Sequence, residues 1–366
     1  MIYLDHGATS MGKPPQVARA MARAVQLCGN PGRGGHSAAM AAAEEVYGCR
    51  EEAAKLFGCR PEQVAFTASC THGLNIALRT LVKPGSRVVI SGFEHNAVVR
   101  PLHALGAQVT VAGRRLFDSD DLLSAFERAL PGASAAVFTH VSNVFGYSLP
   151  IEKLALLCRS YGVPFVIDGA QSAGSLPLSL EGTGADFIAM PGHKGLLGPQ
   201  GTGMLLCRGS AQPLLFGGTG TDSRNREMPA FLPERLEAGT VNVPGIAGLR
   251  EGIREVRRIG ISAIAARERQ AAAFCAKGLQ AMGMRVFAGR NQGGTVSFVP
   301  NGDCEEFAEK LARLGIAVRA GLHCAPLAHE SAGTLETGTV RVSFGHDASP
   351  RQAEKLLEAV KVAEVM

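Results

Sequence analysis

No apolar run in the 366 residues approaches the roughly 20 needed to span a bilayer. The opening stretch "MIYLDHGATS" turns polar within five residues and lacks the basic, apolar and small-residue regions of a signal peptide. Both absences lead to the expectation of a cytoplasmic protein with no membrane partner. No basic run or interleaved aromatics accompany the formal charge of +5, which argues against nucleic-acid binding. The nine cysteines include no CxxC pair, so they fit neither a disulfide framework nor a zinc ribbon. Most are expected to be small core residues, and no metal site is expected. Internal repeats, low-complexity segments and long linkers are also missing.

What is present is an ordinary globular composition, 46% apolar and 19% charged. The chain exceeds the size at which one core usually keeps growing, so two domains are expected. "PPQVARAMARAVQLCG" and "AAMAAAEEVYGCREEAAKLFG" carry helical periodicity and end at glycine, with "NPGRGGHS" as a loop between them. Short β-branched runs then alternate with helical stretches: "QVAFTA", "RVVISG", "QVTVAG", "AAVFTHV", "PFVIDGA", "DFIAM" and "GTGMLLC". That alternation predicts an α/β domain over residues 15–245, with a mainly parallel sheet covered on both faces. Residues 246–366 mix strands and helices differently and predict a small α+β domain, with residues 1–14 packing near it. Within it, residues 246–279 read as one long helical segment and "IAVRAG" as a strand.

In open parallel sheets the ligand sits beyond the carboxyl ends of the strands. "TASCTHG" follows the first run and opens a helix, whose free N–H groups make a phosphate seat with Cys70, Thr71 and His72. Later strand ends offer His95 in "FEHNAVV", Asn143 in "SNVFG", Asp168 and Gln171 in "DGAQS", and His193 and Lys194 in "PGHKG". A loop histidine alone is more often structural than catalytic, and "DG" is a common turn dipeptide. Together these ends supply a phosphate seat, an imidazole, an amide, a carboxylate and a lysine, which is the inventory for pyridoxal 5'-phosphate. Rival phosphate motifs fail: "GPQGTG" lacks the strand–turn–helix context, and no GxxxxGK[ST] occurs.

The segments "YLDHGATS", "GRGGHS", "FTASCTHGLN", "EHNAVVRP", "THVSNVFG", "VIDGAQS", "GHKGLLGPQGTG", "LEAGTVN", "VRAGLHCAP" and "TVRVSFG" occur in family order nearly end to end. By them the sequence resembles the class V aminotransferase superfamily, specifically the group II (Suf-type) cysteine desulfurases and selenocysteine lyases. The resemblance implies a fold-type I transferase with a seven-stranded sheet. It implies that Lys194 bonds the cofactor's aldehyde, Asp168 keeps the pyridine nitrogen protonated, and His95 stacks on the ring. Asn143 and Gln171 would lie near the ring; Cys70, Thr71, His72 and His193 would lie at the phosphate end. Thr240 of "EAGT" would reach the phosphate of a neighbouring subunit, implying a homodimer. Arg341 would clamp the substrate α-carboxylate, with Asn143, Ala8 and Arg319 beside the substrate. Arg33, His36 and Arg319 are expected at the entrance, where an ordinary salt-bridge role is equally open.

Two departures from the family pattern stand out. Pro191 occupies a place where a hydroxyl residue is common, and Cys70 replaces a frequent threonine beside Thr71. Backbone amides or other side chains are expected to compensate at the phosphate.

Cys324 in "RAGLHCAP", seventeen positions before Arg341, is flanked by glycine, histidine and proline, which argues against a packed core position. Resemblance makes it the sulfur-accepting nucleophile of a cysteine desulfurase, a sulfurtransferase that yields alanine. Its thiolate would be helped by His95 or His323 and its sulfur passed to an acceptor protein. Selenocysteine lyase, another class V aminotransferase and another β-eliminating lyase remain the alternatives.

Overall fold

The computed structural model describes residues 1–32 and 34–366; Arg33, expected at the entrance, lies outside the described residues. Among the described residues thirteen strands form in chain order. They are β1 (Ile2–Tyr3), β2 (Val64–Thr67), β3 (Arg87–Ser91), β4 (Gln108–Ala112), β5 (Ala135–Thr139), β6 (Phe165–Asp168) and β7 (Phe187–Pro191). The rest are β8 (Gly203–Cys207), β9 (Arg285–Phe287), β10 (Thr295–Val299), β11 (Ile316–Ala317), β12 (Arg319–Gly321) and β13 (Thr339–Ser343).

Seven of them build the large sheet in the order β2-β8-β7-β6-β5-β3-β4. β3 to β7 run parallel, while β8 is antiparallel to both β7 and β2. The seven apolar runs of the sequence are these seven strands. β2, β5, β6, β7 and β8 are buried along their whole length, as strands covered on both faces must be. β4 is mostly exposed and lies at the edge, which explains its alternation of polar and apolar residues. One apolar layer gathers Phe57, Phe93, Phe126 and Phe138 against the sheet, and the opposite layer gathers Leu74, Leu78, Ile90 and Val98.

A four-stranded sheet, β12-β13-β10-β9, forms the second layer system with the helices Ile261–Ala281, Cys304–Arg313 and Pro350–Ala363. Its core joins Leu279, Phe298, Phe307, Val340 and Leu356. The N-terminal segment joins this side of the molecule: β1 pairs in parallel with β11, and Asp5 bridges to Ser343.

Two local expectations are corrected. The run over residues 246–279 is two helices, Val243–Ile259 and Ile261–Ala281, because Gly260 sits at φ 88° and ψ 128°, outside the helical region. Ile246, Leu249 and Ile253 of the first helix pack into the large core, against the helices Pro15–Leu27 and Ser37–Phe57. Likewise "IAVRAG" is two short strands, since the chain changes partner at Val318 from β1 to β13. Among the described residues no helix is long and apolar enough to cross a membrane.

Candidate active site

The carboxyl ends of β5, β6 and β7 converge, with Thr139 beside Asp168 and Asp168 beside Ala189 in register. Asp168 is 3% exposed. Its Oδ1 accepts from the Ala170 amide at 2.8 Å and from Cys70 Sγ at 3.4 Å. Directly after β7 the chain turns tightly through Gly192 and Gly195. A Cβ at Gly192 would meet Thr202 Oγ1 at 2.2 Å, and one at Gly195 would meet the Ala173 carbonyl at 2.5 Å. Glycine is therefore needed at Gly195, where backbone passes backbone, and at Gly192, where the chain passes the Thr202 side chain, and the turn presents Lys194 inward. Burial lowers the Lys194 amine to a pKa of about 8, with repulsion from Arg341 adding and the Asp168 carboxylate opposing. Among the described residues its Nζ has no hydrogen-bond partner.

Lys194 and Asp168 line one cavity of about 120 Å³ together with Ser69, Cys70, Thr71, His95, Asn143, Gln171, Pro191 and His193. His95 caps the helix Asn96–Ala104: its Nδ1 accepts the Ala97 amide at 3.0 Å, so the neutral ring carries its proton on Nε2. Burial lowers its pKa, against the pull of Asp168. Thr71 stands in the first turn of the helix Cys70–Leu81, whose cap Ser69 accepts from the His72 amide at 3.2 Å. Ser69, Cys70 and Thr71 at this helix start line the cavity, at the helix N-terminus expected to seat phosphate. His72 itself is not brought to the cavity; its Nδ1 accepts from the Ala68 amide at 3.3 Å.

His193 Nδ1 lies 3.0 Å from Thr9 Oγ1, and burial lowers its pKa to about 4, keeping the ring neutral. Its carbonyl accepts from Lys13 Nζ at 2.6 Å and from Ser10 Oγ at 3.0 Å. Gln171 Nε2 donates to the Gly7 carbonyl at 2.9 Å, and Asn143 Nδ2 to the His323 carbonyl at 2.8 Å. The N-terminal segment thus clasps the lysine-bearing turn. Lys13 and the buried Glu94, whose Oε1 accepts from the Thr139 amide at 2.9 Å, carry no motif that marks them in the sequence.

Arg341 is 1% exposed on β13. It donates from Nη2 to Asp5 Oδ1 at 2.6 Å and from Nη1 to the Asn143 carbonyl at 3.0 Å, while among the described residues Nε has no partner. The expected carboxylate clamp is therefore already held by an internal carboxylate. Ala8 closes a turn onto the Asp5 carbonyl at 3.0 Å. Arg319 pairs in register with Arg341, and its side chain is exposed.

Cys324 is the exposed thiol among the described cysteines; the other eight are buried or half-buried. It opens on a groove of about 410 Å³ shared with Thr71, His95, Asn96 and Arg100. The Asn96 amide donates to its carbonyl at 2.8 Å, and His323 and Cys324 both have left-handed backbones at φ 51° and 56°. His323 does not supply positive charge to the thiol: its ring is 4% exposed, stacks on His329 at 5.8 Å, and burial drives its pKa to about 2. His36 caps the helix Ser37–Phe57 through Nδ1 and the Ala39 amide at 3.3 Å. Thr240 is exposed and lines a different cavity, of about 700 Å³, with Tyr47, Arg50 and Phe231.

One amine without a partner, one carboxylate with a free oxygen, one neutral imidazole and one helix N-terminus face a single cavity. That donor set fits pyridoxal phosphate. The Aminotransferase class-V family model matches residues 2–356. A probable cysteine desulfurase of Pyrococcus abyssi is 32% identical, covering 94% of this chain and 89% of its own length. Another from Methanothermobacter thermautotrophicus is 31% identical over 98% of this chain and 94% of its own. The apo structure of a cysteine desulfurase from Thermococcus onnurineus matches with TM-score 0.92 and 31% identity, over 100% of this chain and 95% of that one. The Escherichia coli cysteine desulfurase CsdA matches with TM-score 0.85 and 27% identity, over 99% and 94%. With its fold-type I architecture, the chain belongs to the class-V aminotransferase family, whose members depend on pyridoxal phosphate.

Proposed function

We propose that the chain is a pyridoxal-phosphate-dependent cysteine desulfurase: it moves sulfur from L-cysteine to Cys324 and then to an acceptor, leaving L-alanine. The observation that carries this is that the Lys194 cavity and the Cys324 groove share Thr71, His95 and Ala97. Anchor and sulfur acceptor thus open on common ground.

Lys194 would hold the cofactor, Asp168 its ring nitrogen, His95 its ring face, and Ser69, Thr71 and the backbone of their turn with His193 its phosphate; Asn143 and Gln171 would lie at the ring edge. Bound there, pyridoxal phosphate supplies an electron sink at the substrate's α-carbon. Lys194, with its lowered pKa, is a neutral amine in part near pH 8 and can take the α-proton at Nζ. Arg341 would bind the substrate carboxylate through Nε and a guanidinium N–H released from Asp5. Cys324 Sγ attacks the substrate sulfur: the new S–S bond forms as the carbon–sulfur bond breaks. Cysteine plus thiol becomes alanine plus persulfide, with no outside oxidant. His95 borders both spaces, and its Nε2–H can donate a hydrogen bond to sulfur there.

The family likeness supports a homodimer. Thr240 lies in a cavity apart from Lys194 of its own chain, as a residue serving a neighbouring protomer would. We place the boundary between the expected units, residues 15–245 and residues 246–366 with residues 1–14 packing near the small one, later, at Gly260, because the helix Val243–Ile259 packs into the large core.

The test is purified protein given L-cysteine or selenocysteine, with alanine and sulfide or selenide followed in wild type and Cys324→Ser. Alanine from cysteine that depends on Cys324 is the expected result. Alanine from selenocysteine alone would assign the lyase instead. Absence of turnover on both would overturn the proposal.

A further inference from the structure

We propose that Cys70 is a positioning residue for Asp168: its thiol donates to Oδ1 and leaves Oδ2 as the oxygen offered to the cofactor's ring nitrogen. The inference rests on the reading of Lys194 as the cofactor's anchor.

Cys70 opens the helix Cys70–Leu81 and is 8% exposed. It stands where a phosphate-binding side chain would be expected, yet its Sγ lies 3.4 Å from Asp168 Oδ1. The same oxygen accepts the Ala170 amide at 2.8 Å. Two donors thus converge on Oδ1, and among the described residues none reaches Oδ2. That asymmetry fixes the rotation of the carboxylate about its Cβ–Cγ bond, so one oxygen is spent on the protein and the other faces the cavity.

A thiol has one proton to give. Given to Asp168, it is not available to phosphate, so Cys70 acts at the ring end of the site. Burial and the adjoining carboxylate both raise the thiol's pKa well above its ordinary value, which keeps it a donor throughout the neutral range. Because S–H is a weak donor, it orients Asp168 while withdrawing less charge from it than a hydroxyl would. An oriented carboxylate that stays basic is the partner needed to keep a pyridine nitrogen protonated.

The experiment compares two ligands on cofactor-free protein: pyridoxal phosphate, and its analogue in which C–H replaces the ring nitrogen. Cys70→Ala is expected to weaken pyridoxal phosphate binding by about tenfold and analogue binding by less than about twofold. Cys70→Ser, which keeps a donor, is expected to restore most of the loss. An equal loss with both ligands would place the thiol at the phosphate or in packing and overturn the inference, as would no loss with either. If Cys70→Ala does not fold, Cys70→Ser carries the test alone. Its stronger O–H donor should shift the pH midpoint of the bound cofactor's absorbance, and an unmoved midpoint overturns the inference. A wild-type chain that binds neither ligand overturns the proposed function itself, and this inference with it.

Discussion

Arg341 Nη2 and Asp5 Oδ1 lie 2.6 Å apart across 336 positions of sequence, tying the penultimate segment of the chain to its first turn. The guanidinium is almost wholly buried, so its charge depends on this partner. Asp5→Ala is expected to cost about 2–3 kcal/mol, below the range for fully sealed pairs because Asp5 reaches solvent. Urea unfolding of the cofactor-free protein measures it, and a loss under about 0.5 kcal/mol would contradict the assignment.

Arg341→Lys keeps the charge but loses the planar fork. It should raise the KM for cysteine by at least about tenfold while leaving cofactor binding near that of wild type. Unchanged KM would remove Arg341 from the substrate's carboxylate.

Lys194 has a folded-state pKa of about 8 against an ordinary 10.5. Between those values the unfolded chain binds the extra proton, so the contribution of Lys194 to the stability of cofactor-free protein rises with pH across that window. Lys13, also near 8, acts in the same direction. Buried thiols such as Cys49 and Cys207 act oppositely above pH 9 and cancel when wild type is compared with a Lys194 variant. Lys194→Met should stabilise the cofactor-free protein at pH 7 by roughly 1–3 kcal/mol and flatten the slope. Melting curves at pH 7 and pH 10 decide, and an unchanged slope would refute it.

Glu94 works in the opposite sense. Burial raises its pKa from 4.5 to about 8, with Asp168 adding repulsion. The folded chain holds the extra proton between those values, so stability falls as pH rises through them. Glu94→Gln, neutral at every pH, should be more stable than wild type at pH 8 by roughly 1–2 kcal/mol and alike at pH 4.5. Glu268, raised to the same value, remains in both proteins and cancels in the comparison.

Cys324→Ser should retain the visible absorbance of bound cofactor and lose persulfide formation. Alkylation and mass analysis after exposure to cysteine reads the persulfide directly. Normal sulfide release by this variant would sink the assigned role.

The large sheet was legible because its strands are buried on both faces and so read as unbroken apolar runs. "PFVI" and "DFIA" have no competing helical reading of that length. The residues at the strand ends were legible for the same reason: once β6 and β7 were placed, Asp168 and Lys194 had to stand at their mouths. Contacts made by folding back over hundreds of residues leave no local trace, and Asp5–Arg341 and Lys13–His193 are of that kind. Glu94 sits next to His95, yet nothing in "FEHN" distinguishes a sealed acid from a solvated one. His323 misled by adjacency: consecutive residues with left-handed backbones send their side chains apart, one inward and one to the surface.

The N-terminal clasp also sets an order of events during synthesis. Strands β2 to β8 leave the ribosome well before Ile316, Arg341 and Ser343, the residues on which Ile2, Asp5 and Gly7 must settle. Residues 2–7 therefore wait for residues 316–343, and on the function proposed above a nascent chain can assemble its cofactor bed long before its substrate clamp. A prematurely terminated polypeptide would be left with an anchor and no grasp.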